Sequence, residues 1–105
     1  MYTAKDARNT VIDYERKRNQ EELEFLLDIA DNRIAYDIVI DEIKSLAYKG
    51  VSKMLIEKKN KRDAELISLF IETNVGKILD YLGYRIEMKL DSFDPTLLEW
   101  VRISW

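Results

Sequence analysis

The chain has 105 residues, 47% hydrophobic and 35% charged, which predicts a single globular domain over residues 1–105. Its net charge of -3 favours neither nucleic acid nor an anionic membrane as partner. The absence of cysteine and histidine excludes disulfides and thiolate sites, and it removes the commonest general base and transition-metal ligand. No apolar run approaches the roughly 18 residues of a membrane span, so we expect a soluble intracellular protein.

The first half of the chain, residues 1–49, is predicted to be helical. Thr3 followed by Asp6 has the spacing of a capping box, and apolar residues then recur at steps of three and four. We expect a kink or break at Asp31-Asn32, followed by a second helix over about residues 33–48. Lys49-Gly50 closes this half with a glycine of the kind that ends helices.

The length of the first helix bears on how the chain assembles. A helix over residues 3–30 would be about 42 Å long at 1.5 Å per residue. A strand of seven residues spans only about 23 Å, so one small sheet cannot cover such a helix. The first half therefore either folds back as a helical hairpin or extends outward to pair with another subunit, and we favour a homo-oligomer.

The second half, residues 50–105, is predicted as strand, helix, strand and strand. A strand at residues 51–57 precedes a helix capped by Asn60 with Asp63. Residues 73–76 can break that helix, with Asn74 capping a shorter final helix that ends at Gly83. Alternating residues 84–90 then form a half-buried strand, and a turn at residues 91–95 leads to the last strand.

These elements predict an α+β fold. A long N-terminal helix or helical hairpin precedes a small three-stranded β-α-β-β unit, whose last two strands form an antiparallel hairpin. The strand at residues 51–57 could pair with either strand of that hairpin. Strict alternation in the last strand places Leu98 and Trp100 together on the face opposite Val101 and Ile103.

Four short motifs occur along the chain: Thr3-Ala4-Lys5-Asp6-Ala7-Arg8, Lys49-Gly50, Leu82-Gly83-Tyr84 and Ile103-Ser104-Trp105. In this combination the chain resembles a group of short uncharacterised proteins of tailed bacteriophages, which have a "TAKEAR"-like N-terminal helix and an "ISW"-like C-terminal strand. It departs from their pattern in a longer, basic first turn and helix between Ile56 and Leu82. The group brings no catalytic residues, so the resemblance implies only context: a phage protein acting in the infected cell's cytoplasm or built into the particle.

Two sets of residues are candidates for binding. The basic turn, defined as Lys58, Lys59, Lys61 and Arg62, lies where the next helix begins, so it could hold an anion; alternatively it is an ordinary charged turn. Leu98 and Trp100 form either a partner or subunit interface or a core covered by the N-terminal helices. The carboxylate pairs Asp28/Asp31 and Asp37/Asp41 have helical spacing but suggest no third ligand. We therefore expect no catalytic residue, no metal site and no cofactor.

The function expected from these features is non-enzymatic binding in the infected host. Its most concrete form is counter-defence, in which the protein covers a host immune protein or sequesters a phosphate-bearing signal with the basic turn. Nucleic acid is an unlikely partner, because groove-reading motifs and aromatic RNA-binding strands are absent from the sequence. The alternative is a structural component of the virion or of its assembly, located in the particle instead of the host cytoplasm.

Overall fold

A computed structural model describes residues 1–94 and 97–105 of the chain. Its elements in those residues are α1 (Ala4–Asp28), α2 (Ala30–Tyr48), β1 (Lys53–Glu57), α3 (Lys61–Glu72), α4 (Val75–Tyr81), β2 (Arg85–Leu90) and β3 (Leu98–Ser104). The α+β prediction, with helices first and a β-hairpin last, is confirmed. The predicted turn at residues 91–95 ends on Pro95, which lies outside the described residues.

The three strands form one antiparallel sheet in the order β1-β3-β2. Val101 in the central strand lies opposite Ile56 of β1 and Met88 of β2. The first strand therefore pairs with β3, which decides between the two pairings that the sequence left open. Its five residues begin at Lys53, two positions later than predicted.

The hydrophobic core lies between one face of the sheet and helices α2, α3 and α4. Each of these elements contributes side chains that are almost fully buried: Val39, Ile56, Ile67, Val75, Leu79, Val101 and Ile103. Burying one such aliphatic side chain contributes about 1.5–3 kcal/mol. We call this face of the sheet the inner face and the opposite one the outer face.

The first helix reaches well beyond this core. Its capping box is confirmed, since the Asp6 amide donates to Thr3 Oγ1 over 3.2 Å and the Thr3 amide donates to Asp6 Oδ2 over 2.9 Å. Leu23 and Leu26 near its C-terminal end pack against Ile78 of α4, whereas residues 8–21 are all exposed. Of the two arrangements considered for the N-terminal half, the described chain shows the outward extension of α1, while pairing with another subunit stays a prediction. We call residues 4–21 the distal part of α1.

The break between α1 and α2 falls at Ile29, earlier than the predicted Asp31-Asn32. Ile29 has extended backbone angles, and α2 begins at Ala30 instead of residue 33. The buried side chain of Asn32 stabilises the break: its Nδ2 donates to the Leu26 carbonyl over 3.0 Å, and its Oδ1 accepts from the Asn74 amide over 2.9 Å. Asn32 thus ties the end of α1 to the junction of α3 and α4.

The helix boundaries in the second half follow the predicted capping residues closely. Asn60 caps α3 by accepting a hydrogen bond from the Asp63 amide over 2.9 Å. The break between α3 and α4 falls at Thr73 and Asn74, but Thr73 Oγ1 accepts from the Val75 amide while the Asn74 side chain makes no capping bond. Gly83 ends α4 at a φ of +94°, which glycine adopts without steric cost.

The predicted orientation of Leu98 is wrong. Trp100 lies opposite Lys89 but Leu98 lies opposite Leu90, so the residue between them, Glu99, is an insertion in β3. Such a bulge interrupts the alternation of side chains, because two residues on one strand face one residue on the other. Leu98 therefore joins Val101 and Ile103 in the core, where it is 6% exposed, and only Trp100 lies on the outer face.

Candidate functional site

The outer face of the sheet combines a tryptophan with charged side chains of both signs. Pairing aligns Leu55, Arg102 and Glu87 in one row across the sheet. The adjacent row places Trp100 between Glu57 and Lys89. Because helices α2, α3 and α4 pack on the inner face, these two rows are open to solvent.

Trp100 lies at the centre of this face, half-buried among its neighbours. The Arg102 guanidinium stacks over the indole with its carbon 5.6 Å from the ring centroid, a cation–π contact. Trp100, Arg102, Leu55 and Glu57 line a shallow groove of about 300 Å³, and Leu55 is 52% exposed. The indole is thus held by side chains of the sheet, and the alternative of a core beneath the N-terminal helices does not apply to Trp100.

Ion pairs fix the charged side chains around the indole. Arg102 binds Glu87 on the neighbouring strand, and this hydrogen bond holds the pKa of the Glu87 carboxyl below its ordinary value. Lys89 Nζ lies 3.3 Å from Glu99 Oε2, beside the bulge. Exposed pairs of this kind add little stability, but they set the orientation of the side chains that a partner would meet.

The basic turn adjoins the outer face, yet its four cations do not converge. Lys59 Nζ lies 2.9 Å from Glu57 Oε2, so it points toward β1. Arg62 forms an ion pair with Glu42 of α2 instead. Two of the four predicted anion-binding residues are therefore already neutralised by carboxylates of the same chain.

Lys58 and Lys61 form no ion pair among the described residues, but their setting opposes an anion. The Asn60 side chain already accepts from the Asp63 amide at the start of α3. Asp63 also places a carboxylate in the first turn, where a bound phosphate would approach the helix N-terminus. Anion binding by the basic turn stays a prediction with weak geometric support.

The acidic pairs on α1 and α2 are dispersed. Asp37 Oδ1 lies 3.4 Å from Arg33 Nε one turn away, while Asp28, Asp31 and Asp41 are exposed. Among residues 1–94 and 97–105, no group of three or more potential metal ligands comes together. Over the same residues, no helix combines the length and apolar character needed to cross a membrane.

Sequence reasoning missed the exposed partner of Trp100. Leu55 precedes an inward-facing Ile56 and follows an inward-facing Met54, so alternation in β1 alone places it on the outer face. Its position beside Trp100 depends on the pairing of β1 with β3, which the sequence did not decide. A second groove of about 310 Å³ between α2 and α3, lined by Ile38, Glu42, Arg62 and Leu69, was also not expected.

Comparison with known proteins adds no relative to this description. No protein-family model, no curated protein and no solved structure matches the chain.

Proposed function

We propose that this chain is a non-enzymatic phage accessory protein that acts in the cytoplasm of the infected host. It opposes host defence by covering a surface of a host immune protein with the outer face of its sheet. The observation that carries the proposal is Trp100, stacked under Arg102 beside the exposed Leu55. Tryptophan and arginine are enriched at the centres of protein interfaces, where a surrounding rim excludes water.

The outer face supports a protein partner better than a phosphate-bearing signal. A phosphate site needs several unpaired cations that converge on one point. In the basic turn Lys59 is paired with Glu57 and Arg62 with Glu42. The outer face instead combines an aromatic centre with charges of both signs around it, which suits a protein surface of matching charges.

The phage context comes from the motifs at the two ends of the chain and at its two helix-ending glycines. Self-association is also part of the proposal, since residues 8–21 of α1 are exposed and carry Val11 and Tyr14. An isolated helix of this length is marginal in water, so a second surface would stabilise it. In this proposal the protein is a homo-oligomer in which each subunit presents the outer face of its own sheet.

Plating assays test the outer face. The wild-type chain, expressed in bacterial strains that each carry one immune system, should raise the plating efficiency of a restricted phage in at least one strain. Trp100→Ala and Leu55→Asp should abolish that rescue, because loss of a hot-spot side chain weakens binding by at least about 30-fold. Leu82→Asp is the matched control, since Leu82 is exposed to a similar degree but lies at the end of α4.

The same assay separates the two forms of counter-defence. The double variant Lys58→Ser/Lys61→Ser removes cations without breaking an ion pair of the described chain, so we expect full rescue. Loss of rescue in this variant, with rescue intact in Trp100→Ala, would replace the proposal with sequestration of a phosphate-bearing signal. Equal rescue by all the variants would exclude both surfaces.

A role in the virion or its assembly is the second candidate. The extended distal part of α1 favours it, because an exposed helix with apolar side chains can dock on neighbouring subunits of an assembly. Mass spectrometry of purified phage particles would find the chain at a fixed copy number in this case. Its absence from particles, together with rescue in the plating assay, would support the counter-defence role.

A further inference from the structure

One side of α1 carries a coiled-coil spacing that continues to the end of the helix. Six residues on this side are spaced alternately by three and four positions along the chain. We call this set the seam: Val11, Tyr14, Arg18, Glu21, Phe25 and Asp28. All six are exposed, Tyr14 and Phe25 by 66% and 67%. Leu23 and Leu26, which contact α4, lie on the other side of the helix. The seam is therefore accessible in the folded chain. At the a and d spacing of a heptad it holds three apolar or aromatic side chains and three charged ones, so charge pairing decides how two copies could meet.

We propose that two copies of the chain pair through this seam as an antiparallel helix pair, with Arg18 of each copy opposite Glu21 of the other. This inference rests on the self-association proposed above and names its surface, direction and register. The same alignment places Tyr14 of each copy opposite Phe25 of the other. Each pair of facing side chains forms one layer of the helix pair. The four central layers are then two Arg18–Glu21 ion pairs, with one Tyr14–Phe25 pair on either side of them.

The direction follows from the charges on the seam. In a parallel pair, Arg18 would meet Arg18 and Glu21 would meet Glu21, so both central layers would bring like charges together. Neither residue forms an ion pair within the described chain, and Arg18 only attracts the Glu22 carboxylate of its own helix at longer range. In an antiparallel pair a positions face d positions, and the same two residues become complementary.

The register follows from the same residues. Sliding the antiparallel pair by one heptad in one direction places Arg18 against Tyr14. Sliding it in the other direction places Glu21 against Phe25. Either shift leaves the Glu21 carboxylate against an apolar side chain, Val11 or Phe25, and without a cation as its partner, which costs more than a satisfied polar layer. Only the alignment of Arg18 with Glu21 pairs both charges with each other and both aromatic rings with each other; its two outermost layers bring Val11 of each copy beside Asp28 of the other, at the water-exposed ends of the seam.

Flanking residues agree with this alignment. Lys17 of each copy comes beside Glu24 of the other, which adds two exposed attractive pairs. Glu15 comes beside Glu22, but Glu22 is compensated by Lys77 of its own chain, whose Nζ lies 2.6 Å from Glu22 Oε1. The charged residues on either side of the seam are therefore compatible with the antiparallel pairing of the two copies.

Exchange of the central charges tests the proposal by sedimentation equilibrium. The wild-type chain should be dimeric at roughly 100 µM. Arg18→Glu and Glu21→Arg should each raise the dissociation constant at least about tenfold, since each creates two like-charge layers. The double variant Arg18→Glu/Glu21→Arg should restore the wild-type constant. Far-UV circular dichroism of every variant verifies that the helices remain folded.

Thiol cross-linking tests the direction independently, because the chain contains no native cysteine. Under mild oxidation Tyr14→Cys protein mixed with Phe25→Cys protein should form a disulfide-linked heterodimer, and neither should cross-link to itself. Self-linking of either variant alone would overturn the antiparallel arrangement. A wild-type chain that is monomeric would overturn self-association altogether, whereas an oligomer unaffected by both single charge exchanges would overturn the seam alone. None of these results depends on the outer face of the sheet.

Discussion

The distal part of α1 and the helices over the sheet reach the same secondary structure in different ways. The distal part is ordered by its capping box and by strong helix formers such as those at residues 15–18, and residues 8–21 bury none of their side chains. Helices α2 and α4 instead place Val39 and Ile78 in fully buried positions. In this chain, helix formation by local sequence is thus separable from stabilisation by tertiary packing. A helix that forms without packing against the rest of the chain leaves its surface available to another molecule.

Replacing one isoleucine in each region by alanine should give the largest difference in the free energy of unfolding. Ile78 is 0% exposed against Leu23 and Leu26, so Ile78→Ala should lower the free energy of unfolding by about 2–5 kcal/mol. Ile12 is 43% exposed and lies outside the seam, so Ile12→Ala should change it by less than about 0.5 kcal/mol. Urea unfolding followed by tryptophan fluorescence measures both. Equal losses in the two variants would mean that the distal part is packed in the same way as the core.

Asn32 connects the two regions, and its removal should give the next largest effect. Asn32→Ala leaves the Leu26 carbonyl and the Asn74 amide without their side-chain partner in a buried place. An unsatisfied buried polar group costs about 1–3 kcal/mol, so we expect a loss of stability in that range. The matched control is Asn19→Ala on the exposed distal part, which should be close to neutral. A neutral Asn32→Ala variant would show that the break at Ile29 does not need this side chain.

The sequence predicts the elements of this fold because their signals are local. Thr3, Asn60 and Gly83 end or begin helices through contacts within a few residues, and alternation identifies the strands. The hydrogen bond from the Asn74 amide to the Asn32 side chain joins residues 42 positions apart, and no residue spacing in the sequence predicts it. The pairing of β1 with β3 is likewise set by the packed sheet.

The candidate site was predicted only in part, for a related physical reason. The sequence assigns Trp100 to the face away from Val101 and Ile103 correctly, because the alternation holds between these residues. It fails at Leu98 because the bulge at Glu99 adds one residue that only the pairing with β2 makes visible. It also groups four cations of the basic turn, whereas Arg62 is drawn to Glu42, 20 positions away.

Acidification should give the smallest effect and should act where α1 meets α4. Hydrogen bonds from Lys77 and Tyr81 hold the pKa of the Glu22 carboxyl below its ordinary value of 4.5. A depressed pKa in the folded state stabilises it at pH values above 4.5, and that contribution is lost as the pH falls through the lowered value. The wild-type chain should therefore lose more stability between about pH 6 and about pH 3 than Glu22→Gln does.

Thermal unfolding of both proteins across this pH range measures the difference. Because the Glu22 side chain is still 34% exposed, we expect a modest shift of the unfolding midpoint instead of a collapse. Asp13→Asn, which removes an exposed carboxylate from the distal part away from the seam and its flanks, should keep the full pH dependence of the wild type. If Asp13→Asn flattened the dependence as much as Glu22→Gln, the acid-sensitive contact would lie along the distal part of α1. The division between an anchored end and a free end of the helix would then be wrong.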